Sequence, residues 1–202
     1  MRTPKWFDAL FLLALMGFII WFAANRQAIR DWLTLRTYRP PAAVAQLATD
    51  AGMNSASRRL FYLGNPQLVD HAAIQQDCGA DIVGCIDEHN RIFLLKEDKP
   101  SDHPDVVVTA AHEMLHQAWR RLDQNTKDEL DPVIQDDASR VGGAEIENEA
   151  QKDTDTNELT DEEQAILGSE FGGLSPQLEA YYSRYFSDRG KVIAAFQADT
   201  NR

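Results

Sequence analysis

A chain of 202 residues with a formal net charge of -12 has room for one domain of ordinary size once an apolar N-terminus is set aside. The acidic balance excludes nucleic acid as a natural partner, because phosphate binding needs clustered Lys and Arg. Fourteen Asp or Glu lie between 128 and 163, against Arg140 and Lys152, and this reads as a solvated acidic stretch.

Trp6 to Ala24 (WFDALFLLALMGFIIWFAA) is the only long apolar run, and no residue from Ala9 to Ala24 is charged. At about 1.5 Å per residue, a helix of that length nearly crosses a hydrocarbon core of about 30 Å. Trp6 and Trp21 stand near its ends, where interfacial aromatics are favoured. Cleavage wants small residues, and bulky Phe22 occupies the -3 position for a cut after Ala24. The expectation is a single-pass membrane anchor over residues 1–25, a juxtamembrane helical linker over 26–57 and a folded domain over 58–202. Arg2 and Lys5 precede the anchor, whereas Arg26, Arg30, Arg36 and Arg39 follow it, a count that does not favour export of the C-terminal part. Cys78 and Cys85, in DCGADIVGC, lean the other way. Their spacing fits no common zinc knuckle, and in an oxidising compartment they would close a small loop as a disulfide. An extracytoplasmic domain is the expectation.

Further along, Ala42 to Asp50 reads as a short helix. RLFYL (59–63) has strand character and stops at Gly64-Asn65-Pro66, and Gln67 to Gln76 reads as a helix. Ile82 to Ile86 and Arg91 to Lys96 form a hairpin around Asp87-Glu88-His89-Asn90. Asp105 to Leu122 is an apolar helix, and Lys127 to Val141 a helix broken at Asp131-Pro132. Gly142 to Leu159 is polar and acidic enough for a loop. Thr160 to Glu163 matches a capping box that starts a helix to about Ser169. Ser175-Pro176 starts another that runs to Gly190, with a short C-terminal helix after it. The pattern is α+β: a small sheet, then mostly helices.

The apolar helix carries VTAAHEMLHQAW, with His112, Glu113 and His116 in the order H-E-x-x-H. Residues four apart share one helix face, so His112 and His116 can aim at a single Zn2+. Glu113, about 100° around the helix from His112, can reach a water at that ion without ligating it and act as general base. Met114 and Leu115 are core residues by the same periodicity. A catalytic zinc takes three protein ligands and a water. His71, His89 and His103 all precede the motif, so a carboxylate further along is the better third ligand. Spacing alone does not choose it.

The H-E-x-x-H motif, followed by a later Glu on a separate helix, resembles the gluzincin branch of zinc metallopeptidases. FYLGNP, GCIDEHNRIFLL and EEQAILGSEFGGLSPQLEAYYSRYFSDR also resemble bacterial membrane-anchored metallopeptidases, over roughly Arg58 to Arg189. The relatives' second helix carries a pattern like E-L-H-S-x-L-G-T-E. Matched onto EEQAILGSE, its first Glu is Glu162 and its last Glu170, with Glu163-Gln164 in place of Leu-His. The resemblance implies a zincin-like domain with Glu162 as third ligand, Glu170 as the alternative and Glu158 behind both. It also implies that strand Arg91 to Lys96 rims the cleft as an edge strand for an extended peptide, and that Tyr181, Tyr182 or Tyr185 could donate to an oxyanion. The activity implied is hydrolysis of a peptide or protein substrate near the membrane. The competing expectations are a non-catalytic, metal-stabilised interaction domain and an anchored scaffold without metal.

Overall fold

The computed structural model describes residues 5–79, 82–99, 102–153 and 159–200, so Glu158 lies outside the described residues. The chain divides into two compact units, Met1–Arg39 and Pro40–Arg202. The first is one helix, α1 (Lys5–Thr37). Its segment Leu10–Thr37 is long and apolar enough to cross a membrane, and side chains such as Phe11, Phe18 and Ile20 are exposed along it. The backbone shows no joint at residue 26, since the helix runs unbroken to Thr37 and stops before Pro40-Pro41, where proline disfavours a helical predecessor.

The second unit begins at Pro40 rather than at residue 58. The expected linker is folded there, because α2 (Ala42–Asp50) buries Val44, Leu47 and Ala48 on one face. Helix α3 (Ser55–Leu63) replaces the strand expected at RLFYL. Asn54 caps it, its Oδ1 accepting from the amides of Ala56 and Ser57 at 2.9 and 3.1 Å. Ser57 and Phe61, one turn apart, are its buried face. The next segment splits into strand β1 (Gln67–Val69) and helix α4 (His71–Asp77), the latter capped by Asp70.

The hairpin is present as β2 (Gly84–Ile86) and β3 (Ile92–Leu95), paired antiparallel with Cys85 opposite Phe93. Asp87 Oδ1 accepts from the amides of His89 and Arg91, and Asn90 adopts a φ of 64°, a turn geometry that Asx side chains favour. The sheet order is β1-β3-β2, with β1 and β3 parallel. The strand at 91–96 is therefore central, not the expected edge. It is Ile92, Phe93 and Leu94 that are buried.

Helix α5 (His103–Trp119) is the spine of this unit, with eleven of its side chains buried, and it packs against α2, α3, both strands of the hairpin and two later helices. The helix α6 (Gln124–Val141) runs through Pro132 without the expected break. Part of the expected acidic loop is helix α7 (Ala144–Asp153). Ile146 and Ala150, one turn apart, are buried and give it a core face despite its acidity.

The helix α8 (Leu159–Glu170) forms as expected. Thr160 lies inside it, though, and its hydroxyl donates to Asp131 Oδ1 at 2.5 Å rather than closing a capping box. Ser175 caps α9 (Pro176–Tyr182), which ends eight residues short of Gly190. The intervening segment turns back to form a bridge between Met53 and Phe186, and α10 (Gly190–Thr200) closes the chain.

Helices α5 and α8 approach closely at Gly168. A Cβ there would lie 2.4 Å from Leu115 Cδ1 and 2.6 Å from the Tyr182 ring. That ring cannot retreat, since its hydroxyl donates to Gln164 O at 2.6 Å. Alanine at 168 gains helix propensity, yet the overpacking dominates. Gly168→Ala is expected to lower stability by about 1–3 kcal/mol, read as a lower urea midpoint with an unchanged slope.

Candidate metal centre

The two motif histidines stand one turn apart on α5, their rings at 74° with centroids 4.7 Å apart. Their Nε2 atoms are 3.0 Å from each other. The first turn of α8 brings Glu162 over both: Oε1 lies 3.0 Å from His112 Nε2 and Oε2 lies 3.3 Å from His116 Nε2. Of the described residues, this trio alone forms a group of three or more His, Cys, Asp or Glu with ligand atoms within 4.8 Å of one another. Two imidazole nitrogens facing each other need a proton or a cation between them. Tetrahedral zinc with bonds of 2.0–2.1 Å would separate its donors by about 3.4 Å, close to the spacing here. Two imidazoles and a carboxylate suit zinc or another borderline transition ion, not calcium, which takes oxygen ligands.

A residue that sequence reasoning missed supports this set. Asp161 Oδ1 lies 2.8 Å from His116 Nδ1 and receives Gln164 Nε2 at 3.3 Å. A carboxylate on the far nitrogen fixes the tautomer and turns Nε2 towards the ion. The only clue in the sequence was its place beside Glu162, inside a run of three acids.

Burial alone would lower the basicity of both imidazoles, but Glu162 raises His112, and Asp161 with Glu162 raises His116 to about 10. Burial also opposes the charge on Glu162, yet the two histidines outweigh it and hold this carboxyl well below the usual range. Glu113 goes the opposite way. Desolvation raises its pKa, and the two histidines offset only part of that. It is 6% exposed, so two carboxylates of one site are pushed in opposite directions.

These groups line a cavity of about 300 Å3. One wall is His112, Glu113, His116, Arg120, Asp161 and Glu162, and the other is Ile82, Gly84, Cys85 and Ile86 with Cys78. Cys78 and Cys85 are bonded as a disulfide, with Cα atoms 5.8 Å apart, and tie the end of α4 to β2. A larger cavity of about 590 Å3, around His71, Ile74, Leu95 and Val106, holds no such ligand group among the described residues.

Other expected site residues fall elsewhere. Glu170 is about 12 Å further along α8 than Glu162 and lines a different cavity with Val108, Ile166 and Phe171. Tyr182 is 0% exposed and its hydroxyl is committed to Gln164 O. Tyr181 and Tyr185 stack edge-on at 5.3 Å in the core. None of the three tyrosines lines the cavity of the histidines.

Compared with known proteins, the chain matches no family model, no curated sequence and no solved structure.

Two outcomes follow for metal binding. Asp161→Asn is expected to weaken zinc affinity about 10–100-fold, measured by chelator competition, while Glu170→Gln leaves it unchanged. Against the effect of burial, Asp161 and Glu162 raise the pKa of His116 to about 10, and an imidazole must give up that proton to ligate a metal. Zinc binding here would release protons, and affinity would rise with pH below that pKa. Calorimetry in buffers of different ionisation enthalpy reads the release directly.

Proposed function

We propose that the chain is a membrane-anchored zinc metallopeptidase with a zincin-like domain of the gluzincin type. The observation that carries this reading is the Glu162 carboxylate within 3.0–3.3 Å of both motif imidazoles, with buried Glu113 lining the same cavity. Zinc held by His112, His116 and Glu162 would polarise the scissile carbonyl and lower the pKa of an attacking water to about 7.

The chain supplies the rest. Glu113 accepts the proton from the attacking water, for which desolvation makes it a stronger base, and passes it to the departing amine. Asp161 holds the His116 ring in register through Nδ1. Burial of Glu113 and Glu162 keeps bulk water from dispersing their charges.

The substrate support is β2, the strand that the cavity exposes. Leu95 N donates to Val83 O and Asp87 N donates to Arg91 O, and Cys85 faces Phe93 in the register between them. Alternate residues 83, 85 and 87 therefore bond to β3, so Gly84 and Ile86 turn their N–H and C=O groups to the free edge. An extended peptide can add there as a further strand. A structural site has no use for a buried base beside its ligands, so Glu113 favours an enzyme over a metal-stabilised interaction domain.

The helix α1 would confine the enzyme to substrates near the bilayer. The Cys78–Cys85 bond favours an oxidising, extracytoplasmic compartment for the domain, against the Lys and Arg count.

In detergent, the full chain is expected to bind one zinc and cleave peptides. Glu113→Gln should keep the metal and lose about 100-fold or more in kcat; metal retention without any hydrolysis by the unmodified protein would refute the assignment. Ile86→Pro removes an outward N–H without touching the β3 ladder. It should raise KM several-fold with zinc content unchanged.

A further inference from the structure

We infer that Arg120 is the receptor for a substrate carboxylate placed one or two residues beyond the cleaved bond. This rests on the metallopeptidase reading and adds a substrate class to it. His112, His116 and Arg120 are spaced by four on one face, at the end of α5, and Arg120 lines the same cavity as the two histidines. The acidic groups on that wall are Glu113, Asp161 and Glu162. Arg120 is exposed, so a ligand can reach it.

Its place is held from the hairpin. Arg120 Nη1 donates to Asn90 Oδ1 at 3.2 Å, and Asn90 Nδ2 donates to Gln117 Oε1 at 3.0 Å. Asn90 sits in the turn after β2, so the guanidinium stands at the turn end of the strand that a peptide would pair with. Asn90 takes one of five guanidinium N–H groups, and the planar fork is shaped for bidentate carboxylate binding. Four residues of helix place Arg120 about 6 Å beyond His116, the length of about two residues of extended peptide. A guanidinium serving only the C-terminal dipole of α5 would be indifferent to what the substrate carries.

The carboxylate can be a free C-terminus or an acidic side chain, and one experiment separates them. Zinc-loaded full chain in detergent is given three pools of N-acetylated degenerate hexapeptides, with products read by mass spectrometry. The first pool has free C-termini, the second is C-terminally amidated, and the third is amidated with Asp fixed on the leaving side. Arg120→Met, Arg120→Lys and Glu113→Gln are run in parallel, with zinc content and thermal midpoint confirming that Arg120→Met is folded and loaded.

The first or third pool is expected to be cleaved about tenfold better than the second, mainly through KM. Preference for the first identifies the terminus as the carboxylate, and preference for the third a side chain. Arg120→Met should abolish the preference and Arg120→Lys restore part of it. Glu113-dependent cleavage that treats all three pools alike, or a preference that survives Arg120→Met, overturns the role of Arg120 and leaves the peptidase reading standing. The absence of Glu113-dependent cleavage of every pool overturns that reading, and this inference with it.

Discussion

Besides the exposed Arg120, five ionisable side chains share one wall between α5 and α8: His112, Glu113, His116, Asp161 and Glu162. Taking charge out of water is costly unless each group finds a partner. For His112, His116, Asp161 and Glu162 the partners are one another, at 2.8–3.3 Å. The rest of the fold serves that arrangement. Helix α5 is anchored by apolar contacts on nearly every side, so its two imidazoles have a fixed direction. Gly168 lets α8 lie against α5, and that approach delivers Glu162 and Asp161 to the histidines.

The carboxylates are divided by environment rather than by type. Glu162 sits between two imidazoles, which hold its carboxyl ionised, the state in which a carboxylate can ligate a metal. Glu113 is shielded from solvent, and desolvation raises its pKa. Under the proposed function, neighbouring acids driven apart in pKa would divide the catalytic labour between them. Asp161 lies 2.8 Å from His116 Nδ1, a contact that fixes the orientation of that ring. The sheet contributes an edge: β2 faces the cavity across from the charged wall, and the Cys78–Cys85 bond ties that edge to α4.

The pairing of His112 and His116 was legible in the sequence because H-E-x-x-H sets its own geometry once α5 is helical. Glu162 was legible only through a resemblance, since fourteen acids between 128 and 163 made every carboxylate a candidate. The placement of Asp161 and Arg120 needed coordinates, because it depends on how α8 and the hairpin turn meet α5. Among the elements, RLFYL misled: its aromatic and branched residues suit a strand, but the Asn54 cap and the Ser57–Phe61 face made a helix. The hairpin was legible, yet its neighbour was not. Strand β1 pairs with β3 across 26 positions (Gln67 with Phe93), a long-range choice that put 91–96 in the middle of the sheet. The acidic stretch hid α7, whose core face rests on Ile146 and Ala150. Tyr182 illustrates the same limit at the site, since its helical spacing could not reveal that its hydroxyl was already bonded to Gln164 O.

The most direct test of this account is X-ray absorption at the zinc edge on the metal-loaded full chain. Two imidazole nitrogens at about 2.0–2.1 Å and carboxylate oxygen at about 2.0–2.2 Å are predicted, with a light atom completing the shell. The imidazole signal should fall by half in His116→Ala, and the carboxylate contribution should vanish in Glu162→Ala. A sulfur shell near 2.3 Å, or a spectrum that neither substitution alters, would contradict it.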